Sequence, residues 1–167
     1  MKESSLNTII NQSINRKYWN HKISDGIGGI SVQNPFDGFG IMNDKPLYYE
    51  AKLIKGGMYA FNFSKIEDHQ VENLRIINAS LLKEIPNKFY TLFPVGFYKS
   101  REYFRILLFS YKTIESRKSN GEKSIKQKEL NKFIEQNKYL TIKYEKDSRG
   151  NRKQYISDLE RWDEVII

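Results

Sequence analysis

The first apolar pattern in the chain has the period of a helix. Its members are four residues apart, which places them on one helical face, and Ser4 or Ser5 would cap the N-terminus. The stripe consists of Leu6, Ile10, Ile14 and Tyr18. We therefore expect an amphipathic helix that ends before the glycine-containing loop at residues 25–29.

A second helix is predicted after residue 63. Ser64 and Glu67 have the spacing of a capping box, in which each side chain bonds to the backbone amide of the other residue. Helical spacing then continues from Ile66 to Leu81, and Pro86 marks the end of the helix.

Strand-forming residues dominate several other segments. We predict strands near residues 29–33, 36–42, 46–54, 89–97 and 102–107. The turn-forming residues Asn43 to Pro46 would join the second and third of these strands in a hairpin. The last residues, 162–167, would either dock on the core or meet a partner chain.

One strand carries a polar pair among apolar residues. Glu50 and Lys52 lie two positions apart, so the alternation of a strand places both side chains on one side. The hairpin would bring Asp37, thirteen residues before Glu50, beside them. Two carboxylates can hold magnesium, and a lysine can orient an attacking water or neutralise charge on a phosphate. The alternative is a solvated ion pair on an amphipathic strand.

The composition is that of an ordinary soluble protein with excess positive charge. The 167 residues suit one domain, 1–167, and 28 Lys plus Arg against 20 Asp plus Glu give a net charge of +8. This charge favours a polyanionic partner, nucleic acid before membrane. The absence of cysteine excludes disulfides and thiolate zinc sites. Because there is neither a secretion signal nor an apolar run of membrane-spanning length, we expect a cytoplasmic protein without a membrane partner.

The basic excess is concentrated in residues 112–143. Within them, residues 118–124 are typical of an exposed basic turn. The stretch could contact nucleic-acid phosphates, or it could be a solvated loop and helix face. The candidate phosphate contacts are Arg117, Lys118, Lys123 and Lys126.

Three separated motifs together resemble a RecU-type Holliday junction resolvase of the PD-(D/E)XK nuclease superfamily. The first combines Asp37-Gly38 with Tyr49-Glu50-Ala51-Lys52 at the family's thirteen-residue interval. The second is Phe63 followed by Glu67-Asp68-His69-Gln70, and the third is the turn from Asn120 to Ile125. The matched positions span roughly residues 35–130.

The resemblance implies an α/β fold, in which a central mixed β-sheet is flanked by helices in a restriction-endonuclease-like PD-(D/E)XK core. It implies a homodimer that binds branched DNA, in particular four-way junctions, and nicks two opposing strands symmetrically with Mg²⁺, for which Mn²⁺ could substitute. Asp37 and Glu50 would be metal ligands, Lys52 the catalytic lysine and Gln70 a supporting catalytic-site residue. A two-fold dimer suits paired nicks on a two-fold symmetric junction.

Two features differ from many family members. The family's metal-binding glutamate on the first helix has no counterpart at residues 6–9. Either Glu3, one turn earlier, replaces it, or this ligand is missing. The segment from Trp19 to Asp37 is short where better-known members carry a long stalk. Two alternatives therefore stay open: a PD-(D/E)XK nuclease acting on another DNA substrate, of restriction or repair type, and a non-catalytic DNA-binding protein on the same scaffold.

Overall fold

The computed structural model describes residues 2–22, 36–86, 88–100, 103–146 and 148–167. The expected loop at 25–29 and the expected strand at 29–33 lie outside these ranges. In the described ranges, the α-helices are α1 (Glu3–Ile14), α2 (Asp68–Glu84), α3 (Tyr111–Ser119) and α4 (Gln127–Glu135). The strands are β1 (Trp19–Lys22), β2 (Gly38–Met42), β3 (Lys45–Tyr49), β4 (Lys52–Lys55), β5 (Ala60–Asn62), β6 (Tyr90–Tyr98), β7 (Phe104–Ser110), β8 (Ser124–Lys126), β9 (Leu140–Lys146) and β10 (Arg152–Ile156).

The main sheet is mixed and curled. Its strands follow the order β1-β2-β3-β6-β7-β9-β10, and β4 continues the line of β3 along β6. β3 and β4 run parallel to β6, which α2 makes possible by crossing over between them, and the other pairs are antiparallel. A small second sheet pairs β5 with β8. The chain is therefore a mixed α/β protein.

Apolar clusters cover both faces of the sheet. One packs α1 and the C-terminal segment against the sheet, and its members include Leu6, Ile10, Ile14, Tyr49, Leu53 and Trp162. The other packs α2, α3 and α4 against the opposite face, and its members include Leu74, Ile114, Leu130, Phe93 and Phe109. Alternation along β6 explains the separation, because Leu92 belongs to the first cluster and Phe93 to the second.

The start of α1 differs from the prediction. The helix begins at Glu3 with Lys2 at the N-cap, and no side chain caps it. The predicted caps, Ser4 and Ser5, lie inside the first turn instead, where the negative charge of Glu3 suits the helix dipole. The predicted apolar stripe is confirmed up to Ile14, while Tyr18 follows the helix and packs against the same cluster.

The start of α2 is displaced by three residues from the prediction. Residues Phe63–Lys65 form a 3-10 turn, and the capping box joins Glu67 to Gln70 rather than Ser64 to Glu67. The 3-10 turn allows Phe63 and Ile66 both to be buried before the helix starts. The helix ends before Pro86, as predicted.

The predicted strands at 89–97 and 102–107 are confirmed as β6 and β7, shifted by one to three residues. The C-terminal segment docks on the core, which decides between the two alternatives for it. Trp162 and Val165 are fully buried, and the amide of Ile167 donates to the carbonyl of Leu108 at 2.9 Å. No helix in the described ranges is both long and apolar enough to cross a bilayer.

Candidate active site

A proline interrupts the strand that was predicted to run from 46 to 54. The amide of Glu50 donates to the carbonyl of Leu92 at 3.0 Å. In a parallel ladder the carbonyl of Glu50 would next accept from the amide of residue 94, but Pro94 has no amide hydrogen. Regular pairing stops at Glu50 and Ala51 and resumes, in the same register, at Lys52. The interruption separates β3 from β4 at the polar pair.

Asp37 occupies the other side of this interruption. Its carboxylate Oδ2 accepts from the amide of Ala51 at 2.8 Å, and its own amide donates to the carbonyl of Tyr49 at 3.1 Å. The predicted hairpin is therefore confirmed: β2 pairs with β3, and this pairing holds Asp37 next to the Glu50 segment.

Gly38 allows β2 to approach β3 closely enough for this contact. Gly38 lies directly opposite Tyr49, and a Cβ at Gly38 would overlap the Tyr49 ring. The ring has no room to withdraw, because Tyr49 is fully buried and its hydroxyl accepts from Asn20 Nδ2 at 3.1 Å. Any larger residue at position 38 would displace one of the strands that carry the candidate site.

Glu50 and Lys52 form a buried ion pair. Each residue is 5% exposed, and Lys52 Nζ lies 3.0 Å from Glu50 Oε1. Gln70 Nε2 donates to the same Oε1 atom. No described residue donates to Oε2. The sequence prediction that Glu50 and Lys52 share one side of the strand is confirmed by their contact. Gln70, which the resemblance implies as a supporting residue, lies within hydrogen-bond distance of Glu50.

The cap of α2 fixes the orientation of Gln70. Gln70 Oε1 accepts from the amide of Glu67 at 3.0 Å, as one half of the capping box. The Nε2 end of the same amide group is thereby turned to Glu50. The start of the crossover helix α2 and the segment between β3 and β4 are thus joined by one side chain.

Glu3 contacts the site from the first turn of α1. Its Oε2 accepts from the amide of Leu53 at 3.2 Å, and its Oε1 lies 3.4 Å from Lys52 Nζ. Glu3 therefore binds the ammonium group of Lys52 and the backbone of β4. No spacing rule indicated this contact, because it joins residues 49 positions apart.

Burial and charge oppose one another at this pair. Desolvation, followed by the nearby Asp37 carboxylate, raises the pKa of Glu50 to about 7 although Lys52 lowers it. Desolvation also lowers the pKa of Lys52, but Glu50, Glu3 and Asp37 outweigh it and the net pKa of Lys52 is raised. Lys52 is therefore an ammonium at neutral pH, whereas Glu50 ionises less readily than a solvated carboxyl group.

The donor set fits a magnesium ion held by two carboxylates. Asp37 and Glu50 supply hard oxygen atoms, and a cation between them would offset the repulsion from Asp37 that adds to burial in raising the pKa of Glu50. Among the described residues, no three Asp, Glu, His or Cys side chains form a metal-binding group. Magnesium commonly keeps several water ligands and binds substrate phosphate, so two carboxylates can suffice.

The four candidate phosphate contacts fall into two pairs. Arg117 bonds to both Glu122 and Glu129, and Lys118 Nζ lies 3.0 Å from Asp68 Oδ1. Lys123 and Lys126 are exposed, and no described carboxylate pairs with either of them. The basic turn is tied to the site region, because β8 pairs with β5 and the amide of Phe63 donates to the carbonyl of Lys123 at 2.9 Å.

No protein-family model matches this chain, and no curated protein matches it.

Proposed function

We propose that this chain is a magnesium-dependent DNA endonuclease of the PD-(D/E)XK superfamily and, within it, a RecU-type Holliday junction resolvase. The observation that carries the nuclease assignment is the convergence of Asp37, Glu50 and Lys52 at one interruption of a buried strand. A solvated surface pair would not be 5% exposed, as both Glu50 and Lys52 are. The mixed sheet with helices on both faces agrees with the architecture that the resemblance implies.

Each residue has a chemical task in phosphodiester hydrolysis. Asp37 and Glu50 would hold magnesium, which, when bound, activates water and stabilises charge on the phosphate. Lys52 is kept protonated by the surrounding carboxylates, so its Nζ can donate a hydrogen bond to the attacking water or to a phosphate oxygen. Gln70 holds Glu50 Oε1 and leaves Oε2 for the metal.

Junction resolution, rather than another DNA reaction, is proposed from the motif resemblance. The same core can serve restriction or repair nucleases, because fold does not determine substrate. The proposed resolvase is a homodimer, since two opposed nicks on a two-fold symmetric junction require two equivalent sites.

The test is cleavage of a labelled four-way junction and of its linear duplex arms, with Mg²⁺ or with EDTA. We expect symmetric nicks in the junction with Mg²⁺, and a loss of about a hundredfold or more with Asp37→Ala or Lys52→Ala. Glu84→Ala is the matched control, because it removes an exposed carboxylate at the end of α2.

The possible results separate the three functions. Equal cutting of the linear arms, abolished by Asp37→Ala, would keep the nuclease and overturn the resolvase. Tight binding without cleavage by the wild type would overturn the enzyme altogether. Because Lys52 is buried, circular dichroism of Lys52→Ala must show a folded chain before its loss of cleavage is assigned to chemistry.

A further inference from the structure

An open groove beside α4 carries an unusual arrangement of charge. The groove has a volume of about 890 Å³, and four lysines line it: Lys123, Lys126, Lys128 and Lys132. We call it the lysine groove. Two carboxylates, those of Glu122 and Glu129, also line it.

Arg117 pairs with both carboxylates, so neither of them pairs with a lysine of the groove. Its guanidinium group donates to Glu122 Oε2 at 2.9 Å and to Glu129 Oε2 at 3.1 Å, with a further bond to Glu129 Oε1. By contrast, no described carboxylate lies within ion-pair distance of any of the four lysines. The four lysines together with Arg117 therefore outnumber the two carboxylates, and the groove presents a net positive charge to its occupant.

The lysines have a spacing that suits a sugar-phosphate backbone. Lys128 and Lys132 are one helical turn apart, about 6 Å along α4, and Lys126 is the N-cap residue of that helix. The nine residues of α4 extend about 13 Å, which is about four phosphate steps of one duplex strand. Phe133 lines the groove, so one part of its wall is apolar.

The lysine groove leads towards the candidate active site. A neighbouring cavity shares Glu122 and Lys123 with it and extends to Glu67 at the N-cap of α2. Glu67 holds Gln70, and Gln70 binds Glu50. A DNA strand lying in the groove would thus point at the start of α2, where Gln70 contacts Glu50.

We propose that the lysine groove binds the phosphate backbone of the DNA substrate away from the cleaved bond. Arg117 is a positioning residue in this account: it sequesters Glu122 and Glu129 and makes no phosphate contact itself. This inference rests on the proposed nuclease function, and it extends the DNA-binding surface beyond the basic turn to Lys128 and Lys132.

The first test measures binding of the full chain to labelled duplex DNA in EDTA over a range of salt concentrations. Each phosphate contact contributes about 0.9 to the slope of log affinity against log salt, so Lys128→Ala with Lys132→Ala should reduce the slope by about two. The control, Lys83→Ala with Lys88→Ala, removes the same charge at exposed positions outside the groove. Equal slopes for the two double variants would overturn the proposal.

The second test concerns Arg117. Arg117→Gln frees two carboxylates at the groove, and we expect roughly three- to tenfold weaker binding. Adding Glu122→Gln and Glu129→Gln should restore the wild-type affinity, because no carboxylate then remains to be sequestered. Binding that stays weak in the triple variant would show that Arg117 contacts the phosphate directly and would overturn its positioning role.

These binding results are independent of cleavage. A lysine-dependent slope together with an absence of magnesium-dependent cleavage would retain the groove and reject the nuclease. Cleavage that depends on Asp37, with no lysine effect on the slope, would do the reverse.

Discussion

In the absence of a metal ion, ionisation of the Glu50 carboxyl group is unfavourable in the folded protein. Its carboxylate is buried and lies beside Asp37, and both effects raise its pKa. The positive charge of Lys52 offsets them only in part, so the pKa of Glu50 is raised to about 7 from 4.5. A carboxyl group with a raised pKa in the folded state keeps a proton that the unfolded chain releases. Between pH 4.5 and about 7, the contribution of Glu50 to the stability of the metal-free protein therefore falls as the pH rises.

Comparison with Glu50→Gln isolates this effect. The variant cannot ionise at position 50, so wild type should lose up to about 3 kcal/mol of unfolding free energy relative to it between pH 5 and pH 8. Urea unfolding in EDTA at several pH values measures the difference. Glu84→Gln, at an exposed position, should show the same pH dependence as wild type.

Added Mg²⁺ should recover the stability of wild type at pH 8 if Asp37 and Glu50 hold it. Parallel pH curves for wild type and Glu50→Gln would contradict the account.

At the scale of elements, the close approach of β2 and β3 positions the two candidate metal ligands. The added methyl group of Gly38→Ala would overlap the buried Tyr49 ring and displace one of the two strands. We expect a loss of about 1–3 kcal/mol of stability, as for other overpacked cores. We also expect a loss of cleavage larger than the unfolded fraction explains, because the distance between Asp37 and Glu50 must change.

Gly150→Ala is the control for Gly38→Ala. Gly150 has a φ of +78° and no atom within 4 Å of an added Cβ. The substitution should therefore cost about 1 kcal/mol through backbone strain alone and leave the activity of folded protein unchanged. Thermal unfolding and cleavage at one temperature, measured for both variants, test the comparison. A fully active Gly38→Ala would show that the approach of the two strands is not needed.

Local rules predicted the parts of the site that depend on neighbours in sequence. Alternation placed Glu50 and Lys52 on one side of a strand, and turn chemistry placed Asp37 beside them. The interruption at Glu50 could not be predicted in this way, because it depends on Pro94 being paired with this strand across a crossover. Similarly, the capping box was assigned three residues early, because burial of Phe63 and Ile66 decides where α2 starts.

At the scale of the molecule, the number of charged residues predicted the basic region but not which of its basic side chains form ion pairs. Arg117 and Lys118 were grouped with Lys123 and Lys126 because all four lie in one basic stretch. In three dimensions the first two meet carboxylates and the second two do not. Glu129 is twelve positions from Arg117, so only the tertiary fold, which brings α3 and α4 near one another, brings the two side chains together. The strands β9 and β10 were also missed, since exposed charges on them obscure the alternation of Leu140 and Ile142.

The proposed homodimer makes a prediction about the whole assembly. If two protomers act on one junction, wild-type protein mixed with a large excess of Asp37→Ala protein will be present almost entirely in mixed dimers. Each mixed dimer has one intact site, so we expect single nicks and few resolved junctions. The reference is the same amount of wild type diluted with buffer, which should yield paired nicks. Denaturing and native gels of one doubly labelled junction distinguish the two products. If resolved junctions form equally in the mixture and in the reference, the protomers act independently, and the two-fold symmetric mechanism is wrong even though the nuclease site remains.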